Sequence, residues 1–199
     1  SLSIGFTAVA FGLLVGGFLG TIAGYFGGWI DNIIMRACDV FLAVPMMLMA
    51  IVIVAALGAS IINLVISLAI ASVPTFARLV RSAVLTVRDM EYIEAAKAIG
   101  VKTPRTIVHY ILPNCLGPII VQTTLRIAAT ISNTAALSFL GLGVKAPQPE
   151  WGALLSSGRE FIRDSGYLAF IPGLCIMLTI LALNLLGDGL RDALDPRLK

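Results

Sequence analysis

The sequence predicts an all-α membrane protein with about five transmembrane helices, and three observations lead there. Of 199 residues, 58% are hydrophobic and 13% charged, with a mean hydropathy of +0.97. A soluble domain of this size carries about 25% charged residues to keep its surface wet. Several charge-free runs are long enough to cross a bilayer. The cations gather in a few segments between those runs, the pattern that orients membrane proteins. The three cysteines, Cys38, Cys115 and Cys175, are odd in number and without paired spacing. They make neither a disulfide framework nor a zinc site and read as small hydrophobes within helices.

Residues 1–30 carry no charge and supply a first span near 3–27, ending at the Gly27-Gly28 turn. This apolar run is far longer than a signal-peptide core and no basic segment precedes it. With Ser1 in place of Met, the expectation is a cut end with a segment missing upstream. Val40 to Ala77 is a charge-free stretch of 38 residues. As one helix it would measure about 57 Å, nearly twice the apolar thickness of a membrane. It must fold back, and Leu57-Gly58-Ala59-Ser60 is the natural place, giving spans near 34–57 and 61–80. Pro113 is expected to open a fourth span, 113–140, because the first turn of a helix leaves its N–H groups unpaired anyway. Ser165 to Gly187, 23 uncharged residues, yields a fifth near 166–187. The whole chain, 1–199, then reads as one transmembrane domain with its ends on opposite sides.

Lys and Arg counts choose the orientation. With the loop 81–112 inside, the inner segments collect ten cations: Arg36, Arg78, Arg81, Arg88, Lys97, Lys102, Arg105, Arg191, Arg197 and Lys199. The outer ones hold three, Lys145, Arg159 and Arg163, with Arg126 left inside a span. The C-terminus and the loop are expected in the cytoplasm, Ser1 and the loop 143–165 outside.

Within this frame several residues stand out. Gly12, Gly16, Gly20, Gly24 and Gly28 recur every four residues, which aligns them on one helical face open to a close-packed neighbour. Whether that neighbour belongs to this chain or to another is open. Arg126 lies about 20 Å along its helix from Pro113, a depth at which a cation needs a cavity or a partner. It is a candidate for the pathway; snorkelling, or a structural contact with a carbonyl, is the alternative. Arg36 and Asp39, three residues apart, are spaced for an interfacial helical pair. In the outer loop, Trp151, Leu154, Leu155, Phe161 and Ile162 alternate with Glu150, Arg159, Glu160, Arg163 and Asp164. That pattern suits a helix lying in the membrane interface and equally a docking surface for an extracytoplasmic partner.

The loop 81–112 is the most informative segment. Residues 89–99 read as a short helix with acids in its first turns and Lys97 near its end, as the helix dipole favours. Gly100 is placed as its C-terminal cap. Thr103 is expected to N-cap a second helix with Pro104 at its first position. Helix, glycine turn and helix make a compact projection. Its small residues Ala95, Ala96 and Ala98 would let it sit deeply in another protein's groove.

At these residues the chain resembles a known family. Glu94-Ala95-Ala96, then Gly100, with Ile111-Leu112-Pro113 closing the loop, is similar to the EAA motif of binding-protein-dependent ABC importer permeases. Tyr110 stands where the family usually has Ile. Two further stretches resemble the dipeptide/oligopeptide/nickel branch. One is Ala136-Leu137-Ser138-Phe139-Leu140-Gly141-Leu142-Gly143 with Pro149-Glu150-Trp151-Gly152. The other is Asn184-Leu185-Leu186-Gly187-Asp188-Gly189-Leu190-Arg191-Asp192 with Leu194-Asp195-Pro196-Arg197. The resemblance covers essentially the whole chain. It implies the core of a type I ABC importer permease, N-terminally truncated, in a prokaryotic inner membrane. It further implies a second permease subunit, two cytoplasmic ATP-binding subunits and an extracytoplasmic solute-binding protein as partners. By the same resemblance the helix at 90–99 would dock on the ATPase, with Glu94, Ala95, Ala96, Gly100 and Pro113 as coupling residues. The cargo, whether peptide, nickel or another small solute, stays open.

Other classes find little support. There is no G-x-x-x-x-G-K-[ST] loop for nucleotide phosphates, so ATP hydrolysis is expected on another chain. Gly141-Leu142-Gly143 lacks the third glycine of a dinucleotide fingerprint. An intramembrane hydrolase needs a nucleophile, a base or metal ligands within the spans. The only histidine, His109, lies in the loop, and no carboxylate pair lies deep in a span. No catalytic residue, metal, cofactor or nucleic-acid partner is expected. A secondary transporter would show inverted repeats or discontinuous helices with deep ionisable groups, and no convincing repeat is present.

Overall fold

The computed structural model describes residues 1–144 and 147–194. Helix α1 (Leu2–Phe26) ends at a two-glycine turn, Gly27 at φ 65° and Gly28 at φ 56°. Both lie in the left-handed region, open to glycine without steric cost, and they swing the chain directly into α2 (Gly28–Leu42). A break then leads into α3 (Met46–Leu57), inclined 83° to α2.

The expected span near 34–57 therefore takes another form. Its helix begins at Gly28, and the apolar stretch is broken in the middle. Pro45, extended at φ −53°, ψ 132°, is the cause. Proline offers no N–H and pushes the residue before it out of helical geometry. At Leu57-Gly58 the chain does fold back. Gly58 sits at φ 90°, and the Asn63 amide donates to the carbonyls of Leu57 and Gly58 at 2.8 and 2.9 Å. Ser60 Oγ caps α4 (Ile61–Arg88) by accepting from the Asn63 N–H at 3.1 Å. The third helix thus runs to Arg88, well past the expected residue 80.

After α5 (Glu91–Ala98), helix α6 runs unbroken over Thr103–Phe139, 37 residues. Pro113 does not open it. It lies inside, directly after a π-helical turn at Ile107–Ile111. An interior proline cannot donate to the carbonyl four residues back and its ring collides with it; the wider turn relieves both. The Asn114 amide donates to the Tyr110 carbonyl at 2.6 Å. Thr103 is correspondingly the first residue of this helix, and Lys102 takes the capping position without a side-chain bond. Beyond it come α7 (Trp151–Gly158), a 3₁₀ turn (Arg159–Phe161), α8 (Ile162–Ser165) and α9 (Tyr167–Leu194).

Helices α1, α4, α6 and α9 are each long and apolar enough to cross a membrane, and the bent pair α2–α3 reaches that length and hydropathy only when taken together. The described residues are helical and carry no strand. Three apolar clusters stack along α4. At one end Ile4, Ala50, Val54, Leu64, Leu68 and Leu137 meet. Val9, Phe76, Ile127 and Ile131 follow in the middle. At the other end Val80, Val84, Val87, Ile93, Ile111 and Cys115 bind α5 to the long helices.

Candidate functional site

The projection at the end of the bundle is built from local rules. Arg88 closes α4 by donating from Nη1 to the Gly24 carbonyl at 2.7 Å, and the chain turns through Asp89 and Met90. Helix α5 follows with Glu91 and Glu94 in its first turn and Lys97 in its last, complementing the dipole at both ends. The Lys97 ammonium lies 5.7 Å from the centre of the Tyr25 ring, a cation–π contact to α1. At the far end the Gly100 N–H donates to the Lys97 carbonyl at 3.0 Å and the Val101 N–H to that of Ala96 at 3.1 Å. That pair of bonds is the Schellman closure, and Gly100 holds it at φ 82°.

Ile93 is buried against α4 and α6 and Ala96 is buried as well, while Glu94, Ala95 and Ala98 face out. Of the expected coupling residues, then, Ala96 is inward and Glu94, Ala95 and Gly100 lie on the free surface. Pro113 is exposed on α6 at the exit of the π turn. Sequence reasoning missed the apolar part of the free face: Ile99 is 80% exposed, Tyr92 and Met90 about half as much. Ile99 and Tyr92 lie seven residues apart, two helical turns, a signal that could have found them.

Two ion pairs fasten α2 to α4. Arg81 grips Asp31 with both Nε and Nη2, the latter at 2.6 Å to Oδ2. Arg78 Nη2 meets Asp39 Oδ1 at 2.7 Å. The expected pairing of Asp39 with Arg36 is corrected: the α4 guanidinium takes the carboxylate instead. A cross-helix partner on a rigid neighbour outcompetes an exposed pair along one helix, which gains only a few tenths of a kcal/mol.

Four of the five aligned glycines lie against α4. A Cβ added to Gly12 would fall 2.8 Å from Ser72 Cβ, one on Gly16 2.8 Å from Phe76 Cβ, and one on Gly24 2.9 Å from Val84 Cβ. On Gly20 it would run into the Ala77 carbonyl. The neighbour left open by the sequence is α4 of the same chain. Gly28 is a correction: it has open space around it and serves the turn. The helix carrying the register ends at Phe26, so the four-residue spacing no longer means a common face.

Arg126 is partly buried on α6, where Nη2 donates to Thr75 Oγ1 of α4 and Nη1 lies 3.6 Å from Met46 Sδ of α3. Its Nε is buried and has no partner. Among the described residues it donates to no carbonyl, the contact that the alternative reading supposed.

The segment 147–165 is folded onto the bundle. Glu150, 2% exposed, caps α7 by accepting from the Ala153 N–H at 2.8 Å and also accepts from the Ser1 hydroxyl. Gly152 abuts the backbone of Ala135 on α6, and Gly158 that of Leu168 on α9. Leu154, Phe161 and Ile162 remain exposed. Lys145 and the tail Asp195-Pro196-Arg197, with Lys199, lie outside the described residues.

A helical membrane protein with a short helix and its glycine turn projecting at one end of its bundle is the class these features define. Comparison with known proteins narrows it. The chain belongs to the family of binding-protein-dependent transport system inner membrane components, whose model matches residues 16–199. It is 54% identical over 199 residues to the dipeptide transport system permease protein DppC of Alkalihalophilus pseudofirmus. It is 47% identical, again over 199 residues, to the glutathione transport system permease protein GsiD of Pectobacterium atrosepticum. In both cases all of this chain is covered but only 66% of the relative. Among solved structures, a chain of the MetNI methionine ABC transporter in an inward-facing conformation superposes with a TM-score of 0.75 at 17% identity. The match covers 98% of this chain and 92% of that one and establishes a shared fold.

Proposed function

We propose that the chain is a transmembrane subunit of an ATP-driven importer and forms half of a translocation pathway for peptides. The other half would come from a second permease subunit. Two cytoplasmic ATP-binding subunits would drive it, and an extracytoplasmic binding protein would deliver the cargo. Residues 1–199 act as one transmembrane domain in a prokaryotic inner membrane, with the 89–102 projection and the C-terminus in the cytoplasm. The ten-to-three distribution of cations supports that orientation. The two relatives, a dipeptide and a glutathione transport permease, favour peptides over nickel or another solute.

One observation carries the reading. Helix α5 is fused to the ends of α4 and α6 through Ile93, while its other face, with Glu94, Ala95 and Ile99, is open. A partner moving that face moves two spans as one lever, a rigid-body switch driven from a remote nucleotide site. Glu94, Ala95, Ala96, Gly100 and Pro113 are the coupling residues in this scheme.

The experiment is reconstitution with the neighbouring permease, ATPases and binding protein, comparing the wild type with Gly100→Asp. At φ 82° a side chain strains the Schellman turn, so peptide-stimulated ATP hydrolysis and uptake should fall at least about tenfold, the equivalent of 1.4 kcal/mol. Uptake that persists at the wild-type rate, with the ATPase still bound, would overturn the coupling role.

A further inference from the structure

Arg126 stands on α6 twenty-three residues after its start at Thr103 and thirteen before its end at Phe139. That leaves about 20 Å of helix on one side and more on the other, which puts a cation far from either end of the span. Among the described residues the ion pairs involve Arg78, Arg81 and Arg88, and no carboxylate answers Arg126. Its contacts, the Thr75 hydroxyl and the Met46 thioether, are neutral, and Nε has nothing. A cation at membrane depth normally faces a counter-ion or a cavity.

The surroundings add positive potential where a lone cation would be served by negative. Met46 is the first residue of α3, whose N-terminus has no side-chain cap, and a helix N-terminus carries roughly half a positive charge. Half-helices broken within the membrane direct such ends at anionic groups. Asn133 Nδ2 reaches the same Met46 sulfur at 3.7 Å. The buried Thr130 hydroxyl lacks a partner. Residues 126, 130 and 133 share one face of α6. Arg126 and Asn133 thus meet at the side chain of the residue that opens α3, and a cation beside neutral donors is chemistry that selects an anion.

We propose that Arg126, Thr75, Asn133 and the N-terminus of α3 form a station for a carboxylate, the group borne by every peptide with a free C-terminus. A guanidinium offers two parallel N–H donors that match the two oxygens. The proposal rests on the reading of the chain as a peptide-importer subunit and names the chemical group that its pathway recognises.

The test uses the full-length protein assembled with its permease partner and ATPases in lipid nanodiscs, without binding protein. It is titrated into the millimolar range with a radiolabelled dipeptide and with the same dipeptide amidated at its C-terminus. The free acid should bind about tenfold or more tightly than the amide, as a charge-assisted bidentate contact requires. Arg126→Gln should abolish that preference and Arg126→Lys retain part of it. Should Arg126→Gln fail to assemble, the double variant Thr75→Val, Asn133→Leu should weaken the preference instead. Equal binding of acid and amide, no binding of either, or a preference that survives both changes overturns the station. ATP hydrolysis stimulated by liganded binding protein, read in the same nanodiscs, separates the two ideas. Stimulation without acid preference sinks the station and leaves the importer; preference without stimulation does the reverse.

Discussion

Helices α4 and α9 are both 28 residues long and both apolar enough to cross a membrane, α9 the more so. Yet half of the apolar stretch of α4 is buried inside the chain, against 6% for α9. The difference lies in side-chain size at the contact. Helix α4 receives Gly12, Gly16, Gly20 and Gly24 of α1, whose missing side chains let two backbones approach. Helix α9 turns Leu178, Leu181 and Leu185 outward and packs on its own chain along one side only, with Gly187 set against Leu125. In lipid, apolar surface gains little from a neighbouring helix, so hydropathy states where a helix lives and small residues state what it touches. The outer face of α9 is left for lipid or another subunit.

The largest effect should come from filling the seam. Gly16→Leu or Gly20→Leu forces a side chain into the backbone of α4, where added Cβ atoms already meet Phe76 Cβ at 2.8 Å and Arg81 N at 3.0 Å. Overpacking of this kind costs about 3 kcal/mol, and the purified protein should lose its monodisperse peak and melt at lower temperature. Gly189→Leu, on α9 with open space around it, should change stability by less than about 0.5 kcal/mol. Equal damage at both positions would break the contrast between the two helices.

Next in size is the clamp between α2 and α4. Asp31 is held by two bonds from Arg81 and is only 13% exposed. Asp31→Asn should therefore cost about 1–2 kcal/mol, a charge-assisted pair discounted for partial screening. Asp39 and Arg78 are 47% and 56% exposed, so Asp39→Asn should cost under about 0.5 kcal/mol. Thermal melts at low and high salt check both, since the exposed pair alone should fade as salt rises.

Much of this architecture was legible from residues because the bilayer fixes the length of a span. Runs such as 1–30 and 165–187 could only be crossings, and the glycine register marked a packing face before its partner was known. Gly100 was legible for a local reason, since glycine just past a helix is the residue that takes a left-handed closing turn at no steric cost. What escaped depended on distance or on proline. Asp31 and Arg81 are 50 residues apart, and no local pattern joins them. Arg126 announced its depth but not Thr75, Met46 or the free end of α3, which only the fold brings together. Pro45 hid in an apolar run whose hydropathy it hardly alters. Pro113 looked like a beginning, yet a π turn lets the helix pass through it.

The finest distinction separates two glycines that spacing alone treats as equals. Gly24 and Gly28 both continue the four-residue register, but Gly24 faces Val84 Cβ at 2.9 Å while Gly28 has open space and φ 56°. The first is constrained by volume and the second by backbone geometry. Alanine at Gly28 meets no atom but must adopt a left-handed conformation, costing about 1 kcal/mol. Asparagine tolerates that conformation and should cost less than alanine there. At Gly24 the order should invert, because asparagine is larger and the space is already taken. Melting temperatures of the four variants decide it, and the same ranking at both positions would put Gly28 back on the packing face.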